Sequence, residues 1–125
     1  MKKIIHTEKA PKAVGPYSQA VEKAGMLFVS GQIPLDPQTG QLIQGDIREQ
    51  TRRVLLNIDG ILKAAGYNKG DVLKCTCLLT DMSRFKEMNE AYSEYFDENP
   101  PARAAYEVVK LPLGAIIEIE AIAIK

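Results

Sequence analysis

Tryptophan is absent, histidine occurs once, and only two cysteines are present in 125 residues. These shortages exclude much chemistry. Cys75, Cys77 and the distant His6 cannot assemble a zinc site of the usual four-ligand type. A Ser-His-Asp or Cys-His nucleophile pair has no suitable histidine, and neither a P-loop nor a GxGxxG stretch occurs. Sixteen basic residues balance sixteen acidic ones, so the formal net charge is zero. Nucleic-acid surfaces normally show a basic excess, often with interleaved aromatics, and none stands out here. No stretch approaches the roughly 18 apolar residues of a membrane span, and residues 1–8 lack an apolar signal core. The expectation is a reduced, cytoplasmic protein with no metal, no organic cofactor and no membrane partner.

Linkers, repeats and low-complexity tracts are also missing, and 125 residues suit one domain, residues 1–125. Hydrophobic residues make up 46% of the chain, enough for a core without covalent staples. The residue pattern predicts strands over 2–7, 18–23, 26–31, 71–79, 102–109 and 115–124. The second and third form a hairpin at Ala24-Gly25, and Asp36 to Gly40 has the composition of a turn. Asp46 and Glu49 form a capping-box-like pair before a helix. Ile47, Val54, Leu55, Ile58, Ile61, Leu62 and Ala65 recur along it at helical spacing, and Gly66 ends it. A second helix over 82–97 carries Phe85, Met88, Tyr92 and Phe96 on its inner stripe and stops before Asn99-Pro100-Pro101. This order implies a two-layer α+β domain with a mixed sheet and two helices on one face.

Two strands are apolar on both faces. In 72–79, alternation puts Leu73, Cys75, Cys77 and Leu79 on one side and Val72, Thr76 and Leu78 on the other. Cys75 and Cys77 read as small buried residues rather than reactive thiols. In the last strand, Ile117, Ile119, Ala121 and Ala123 share one face, while Ile116, Glu118, Glu120, Ile122 and Ile124 share the other. A sheet covered by helices on one side yet apolar on both calls for a partner, most economically another copy of the chain.

The polar residues on these strands are the candidates for chemistry. Arg103 begins an alanine-rich strand and could grip a carboxylate with its planar pair of donors. It could equally form a structural ion pair with Glu118 or Glu120. Those two glutamates sit on an otherwise apolar face, where a carboxylate is costly without a partner or a task. One of them could orient a water or shuttle a proton. Asn89, on the apolar stripe of the second helix, could bond a ligand or satisfy buried backbone. Tyr17 offers a hydroxyl, and Gly31 lets a ligand approach the backbone. With so few reactive groups, the accessible reactions are easy ones, such as adding water to an already electrophilic bond.

Taken in order, these segments resemble the RidA family of reactive enamine/imine deaminases over essentially the whole chain. The resemblance rests on Ala10-Pro11 with Gly15-Pro16-Tyr17-Ser18-Gln19-Ala20, Ser30-Gly31-Gln32-Ile33-Pro34, and Asn57 with Ala64-Ala65-Gly66. It continues through Met88-Asn89-Glu90-Ala91-Tyr92, Pro101-Ala102-Arg103-Ala104-Ala105-Tyr106-Glu107-Val108 and Ile117-Glu118-Ile119-Glu120-Ala121-Ile122-Ala123. It implies a chorismate-mutase-like fold and a homotrimer whose sheets form a central β-barrel, with active sites between subunits. The implied reaction hydrolyses 2-iminobutanoate or 2-iminopropanoate, derived from enamines released by serine and threonine dehydratases, to 2-oxo acids and ammonia, with no cofactor. Arg103 matches the arginine that binds the substrate carboxylate, and Glu118 the glutamate that positions water. Tyr17, Ser30, Gly31 and Asn89 match residues lining the cleft. Ala105 departs from the cysteine that many bacterial relatives carry there. The alternatives are a small-carboxylate binder without turnover, in which Glu118 has no task, and an endoribonuclease or translation inhibitor.

Overall fold

The strongest local signal in the chain becomes the long helix α1, Ile47–Ala64. In the computed structural model, which describes all 125 residues, Asp46 accepts at Oδ1 from the Glu49 backbone N–H at 3.0 Å. This satisfies one of the helix's orphan donors. Gly66, at φ +81°, follows the last turn in the left-handed conformation. The apolar stripe of α1 is buried, from Ile47 through Leu62. The second helical stretch divides in two. Asp81 caps a 3₁₀ turn, Met82–Arg84, through the Ser83 N–H, and α2 then runs Phe85–Tyr95. Met88, Tyr92 and Phe96 face the core as the spacing predicts.

Six strands form one mixed sheet: β1 Lys3–Ile5, β2 Ala20–Lys23, β3 Met26–Gln32, β4 Val72–Leu79, β5 Ala102–Glu107 and β6 Ile117–Ile124. Their order across the sheet is β1-β2-β3-β6-β4-β5. Only β4 and β5 run parallel, as α2 connects them; the other neighbours are antiparallel. The β2–β3 hairpin turns at Ala24 and Gly25, both at positive φ. Ile117, Ile119, Ala121 and Ala123 of β6 are buried and join Cys75, Cys77 and the stripes of α1 and α2 in one core of 23 residues. Both helices therefore cover the same face of the sheet.

The β4 strand departs from simple alternation. Val72 pairs with Ala123 and Lys74 with Ile122, so the ladder shifts between them and Leu73 is the extra residue of a bulge. Leu73, expected inside, is 52% exposed, while Val72, expected on the other face, is buried. A bulge resets the period-two pattern, which alternation alone cannot anticipate. Beyond it, Cys75, Cys77 and Leu79 lie inside as read.

The face away from the helices carries Ile4, Val21, Phe28, Ile122, Ile124, Leu78 and Tyr106, together with Lys74, Thr76, Glu118 and Glu120. Phe28, Tyr106, Ile4 and Ile124 remain exposed there. This is the uncovered apolar face expected from the composition of the strands.

Two buried amides fasten loops to this frame. Gln19 donates from Nε2 to the carbonyls of Thr7, Ala10 and Pro11 and accepts from the Thr7 N–H. Asn57, fully buried on α1, donates from Nδ2 to the carbonyls of Ile33 (3.3 Å) and Leu35 (3.0 Å). Asn57→Ala leaves both carbonyls without their donor in an apolar setting, a loss of about 2–3 kcal/mol. Urea denaturation should show a lowered midpoint with unchanged slope. Stability within 0.5 kcal/mol of wild type would mean that loop 33–35 is held by other contacts.

Candidate active site

Glu118 and Arg103, the two residues singled out for chemistry, lie on opposite faces of the sheet. Arg103 pairs across β5–β4 with Cys75, and so faces the helix side. Glu118 pairs with Leu78 and faces the open side, as does Glu120 opposite Thr76. The intrachain ion pair considered from the sequence does not form, since no carboxylate lies within 4.0 Å of the guanidinium. Spacing along two strands shows that residues share a sheet, but only the register shows which side each occupies.

Arg103 is held without neutralisation. Its Nη1 donates to Asn89 Oδ1 at 2.7 Å, and its guanidinium lies over the rings of Tyr92 (4.8 Å) and Phe85 (5.1 Å). Asn89 commits its carbonyl to orienting Arg103. The aromatic faces attract the cation without cancelling its charge. The guanidinium keeps donors free on an exposed edge strand. Asn89, Tyr92, Arg103 and the Pro100-Pro101 segment line a common groove. Beneath it Tyr92 Oη is buried with no hydrogen-bond partner of good geometry. The Cys75 thiol beside it is at most a weak partner. Burial pushes the Cys75 thiol up and drives Cys77 to about 12, so neither supplies a thiolate.

Glu118 occupies a second, separate pocket of about 200 Å³, together with Tyr17, Gly31, Lys12 and an apolar wall of Val14, Ile33, Leu35, Pro112 and Leu113. A bulge in β3 builds it. Val29 pairs with Ala121 and Gln32 with Ile119, so Ser30 and Gly31 together oppose Glu120. The Glu118 carboxylate rests directly on the Gly31 backbone. A Cβ at position 31 would overlap Glu118 Oε2 and come within 2.8 Å of its Cδ. Partial burial, with the charge of Glu120 in support, pushes the Glu118 carboxyl above the usual carboxylate range. A carboxylate in an apolar-walled pocket can accept a proton from a water held beside it.

Of the remaining residues, Ser30 borders neither cavity. Tyr17, half-exposed, lines the Glu118 pocket. Ser30 spends its hydroxyl on the Ser18 carbonyl at 2.5 Å, tying β3 to the loop that carries Tyr17. Sequence reading missed Gln19 and Asn57 as the posts that hold both loops of the pocket wall, and Phe85 and Tyr92 as the seat of Arg103. The amides gave a faint signal, as polar residues next to apolar runs. The aromatics gave none, because their helical spacing is that of any core stripe.

Comparison with known proteins accords with this architecture. Residues 7–125 match the family described as Endoribonuclease L-PSP. A RutC family protein of Pyrococcus horikoshii is 58% identical over 125 residues, covering 100% of this chain and 99% of the relative. A Mus musculus protein named 2-iminobutanoate/2-iminopropanoate deaminase is 50% identical, covering 100% of this chain and 93% of its own. The crystal structure of E. coli TdcF with bound serine superposes with a TM-score of 0.95 at 44% identity, over 98% of each chain. Sheet order, helix placement and near-complete coverage agree, and the chain belongs to the RidA (YjgF) family.

Proposed function

We propose that this protein is a 2-iminobutanoate/2-iminopropanoate deaminase acting as a homotrimer, with each site completed between two subunits. The observation that carries the reading is an arginine held in place by Asn89 and two aromatic rings while no carboxylate of its own chain neutralises it. Such a group is preorganised for an anionic ligand. The uncovered apolar sheet face supports assembly, and closing three sheets into a barrel would bury it. Assembly also resolves the placement of Arg103 and Glu118 on opposite faces, because the Arg103 groove of one subunit can meet the Glu118 pocket of the next.

In this reaction Arg103 grips the carboxylate and so orients the adjacent C=N carbon. Tyr17 and Gly31 border the reacting end, while Asn89 keeps the guanidinium aimed; Ser30 shapes the loop. Glu118 holds a water against the imine carbon and accepts its proton as the C–O bond forms. The nitrogen of the resulting carbinolamine takes that proton back and leaves as ammonia as the C–N bond breaks, while the hydroxyl proton passes to Glu118 and the C=O of the 2-oxo acid forms. Every group required belongs to the chain, and the substrate is electrophilic enough to need no more. The pocket, at about 200 Å³, falls below the roughly 300–1,000 Å³ of drug-sized sites and fits a small metabolite.

Coupling to a purified threonine dehydratase tests the reading. The expected result is 2-oxobutanoate and ammonia appearing faster than by spontaneous hydrolysis. Saturable binding of 2-oxobutanoate without acceleration would replace the enzyme with a small-carboxylate binder. Cleavage of RNA in a parallel incubation would favour the endoribonuclease of the family description, which zero net charge does not favour.

A further inference from the structure

The geometry points to Leu113 as a specificity-determining residue, the apolar wall that selects substrates with an aliphatic side chain over those with a charged one. The inference rests on the Glu118 pocket being the reacting end of the site, as proposed above, and adds which side chain that end accepts.

Leu113 combines three properties that rarely occur together. It adopts φ +59° and ψ +18°, a left-handed conformation that leucine seldom takes. Its side chain is 67% exposed, so core burial does not compensate for the strain. It nevertheless borders the cavity that holds Glu118, Tyr17 and Gly31. Strain of this kind persists only where the surroundings over-determine it, and it concentrates at ligand-binding positions. Here the surroundings are visible. Pro112 precedes it with a fixed φ, and Gly114 follows at φ +76°. The turn is closed by hydrogen bonds from the Gly114 N–H to the Leu111 carbonyl (3.3 Å) and from the Ala115 N–H to the Pro112 carbonyl (3.1 Å).

That turn is anchored to the opposite wall. Leu111 and Ala115 pack with Ile33, Leu35 and Leu42 in a small apolar cluster separate from the main core. Asn57 fixes Ile33 and Leu35 from behind. The pocket therefore has a rigid apolar side, made by Ile33, Leu35, Val14 and Leu113, facing Glu118. An imino acid whose carbon meets the Glu118 water would direct its side chain along this wall. Aliphatic atoms gain from contact there and an ionised group would lose its hydration. Lys12 is the one basic residue lining the cavity, so a second carboxylate is the competing occupant.

Binding and turnover measured separately test the assignment in the full-length protein. The binding probes are pyruvate, 4-methyl-2-oxopentanoate and 2-oxoglutarate, followed by calorimetry. The turnover probes are the imines of alanine and leucine, generated in situ by an amino-acid oxidase. Wild type should turn over both imines and bind the branched probe and pyruvate more tightly than 2-oxoglutarate. Leu113→Gly and Leu113→Asn both relieve the backbone conformation. They should raise the unfolding temperature while reducing the preference for the branched probe over 2-oxoglutarate about tenfold. Leu113→Met should restore most of that preference. A gain in stability paired with a loss of selectivity is not the signature of a structural residue. An unchanged ratio in the Gly and Asn variants overturns the assignment, as does tightest wild-type binding of 2-oxoglutarate, which would give the choice to Lys12. So does a change of oligomeric state with the ratio intact, which would make Leu113 an interface residue. If no imine is hydrolysed yet the binding ratio shifts as expected, the deaminase reading fails and the pocket assignment stands.

Discussion

Arg103→Ala is expected to lower kcat/KM for 2-iminopropanoate by roughly 10²–10³-fold, which corresponds to about 3–4 kcal/mol of lost interaction with the substrate carboxylate. The size follows from what the guanidinium does in the folded chain. It is oriented by Asn89 at 2.7 Å and by two aromatic rings before any ligand arrives, so little of its binding energy is spent on ordering the side chain. No carboxylate of the chain competes for it. Arg103 is exposed on an edge strand, and the fold loses only its ring contacts and the Asn89 hydrogen bond, about 1–2 kcal/mol. The far-ultraviolet circular dichroism and oligomeric state should therefore match wild type. Arg103→Lys keeps the charge but not the planar fork, and should fall between the two. Turnover of the alanine variant within a factor of three of wild type would remove Arg103 from substrate binding.

Glu118→Gln is expected to cost 10²–10⁴-fold in kcat while leaving the binding of 2-oxobutanoate within a few-fold, because the amide keeps the shape and loses the proton acceptor. The pH profile distinguishes this from a packing effect. Burial and the Glu120 charge raise the Glu118 carboxyl, so its base form is lost on acidification at a higher pH than that of an ordinary glutamate. Wild-type activity should rise with pH through that elevated value, and the rise should disappear in Glu118→Gln. Glu120→Gln removes the neighbouring charge and should move the acidic limb downward. Stability runs the other way. The folded chain holds the Glu118 proton more tightly than the unfolded chain, so this group's contribution declines as pH rises from the unfolded value through the folded one. Gly31→Ala offers an independent handle. The added methyl must displace the Glu118 carboxylate, giving a loss of kcat comparable to Glu118→Gln although the carboxyl remains. A Gly31→Ala enzyme with normal turnover would show that Glu118 acts from another position.

The elements of this fold were legible because each carries its own local signal. Asp46 caps α1 and Gly66 follows its end; the stripe from Ile47 to Leu62 has a period that only a helix can bury. The alternation of β6 placed Ile117, Ile119, Ala121 and Ala123 inside without knowledge of any neighbour. Leu73 was misplaced because a bulge is a property of two strands together, invisible in either alone. Strand ends were also too generous: β1 leaves out Lys2, His6 and Thr7, and β5 ends before Val108 and Val109 although the apolar pattern continues.

The sequence by itself determined the layers, the second apolar face of the sheet and the narrow set of side chains available for chemistry, since those follow from residue type and periodicity. Only the tertiary structure decided how these side chains are distributed. The β4–β5 register turned Arg103 toward α2, the β3 bulge laid Glu118 on Gly31, and Asn57 drew loop 33–35 into the pocket wall. Each is a contact between residues distant in sequence, set by pairing register and packing rather than by any local preference.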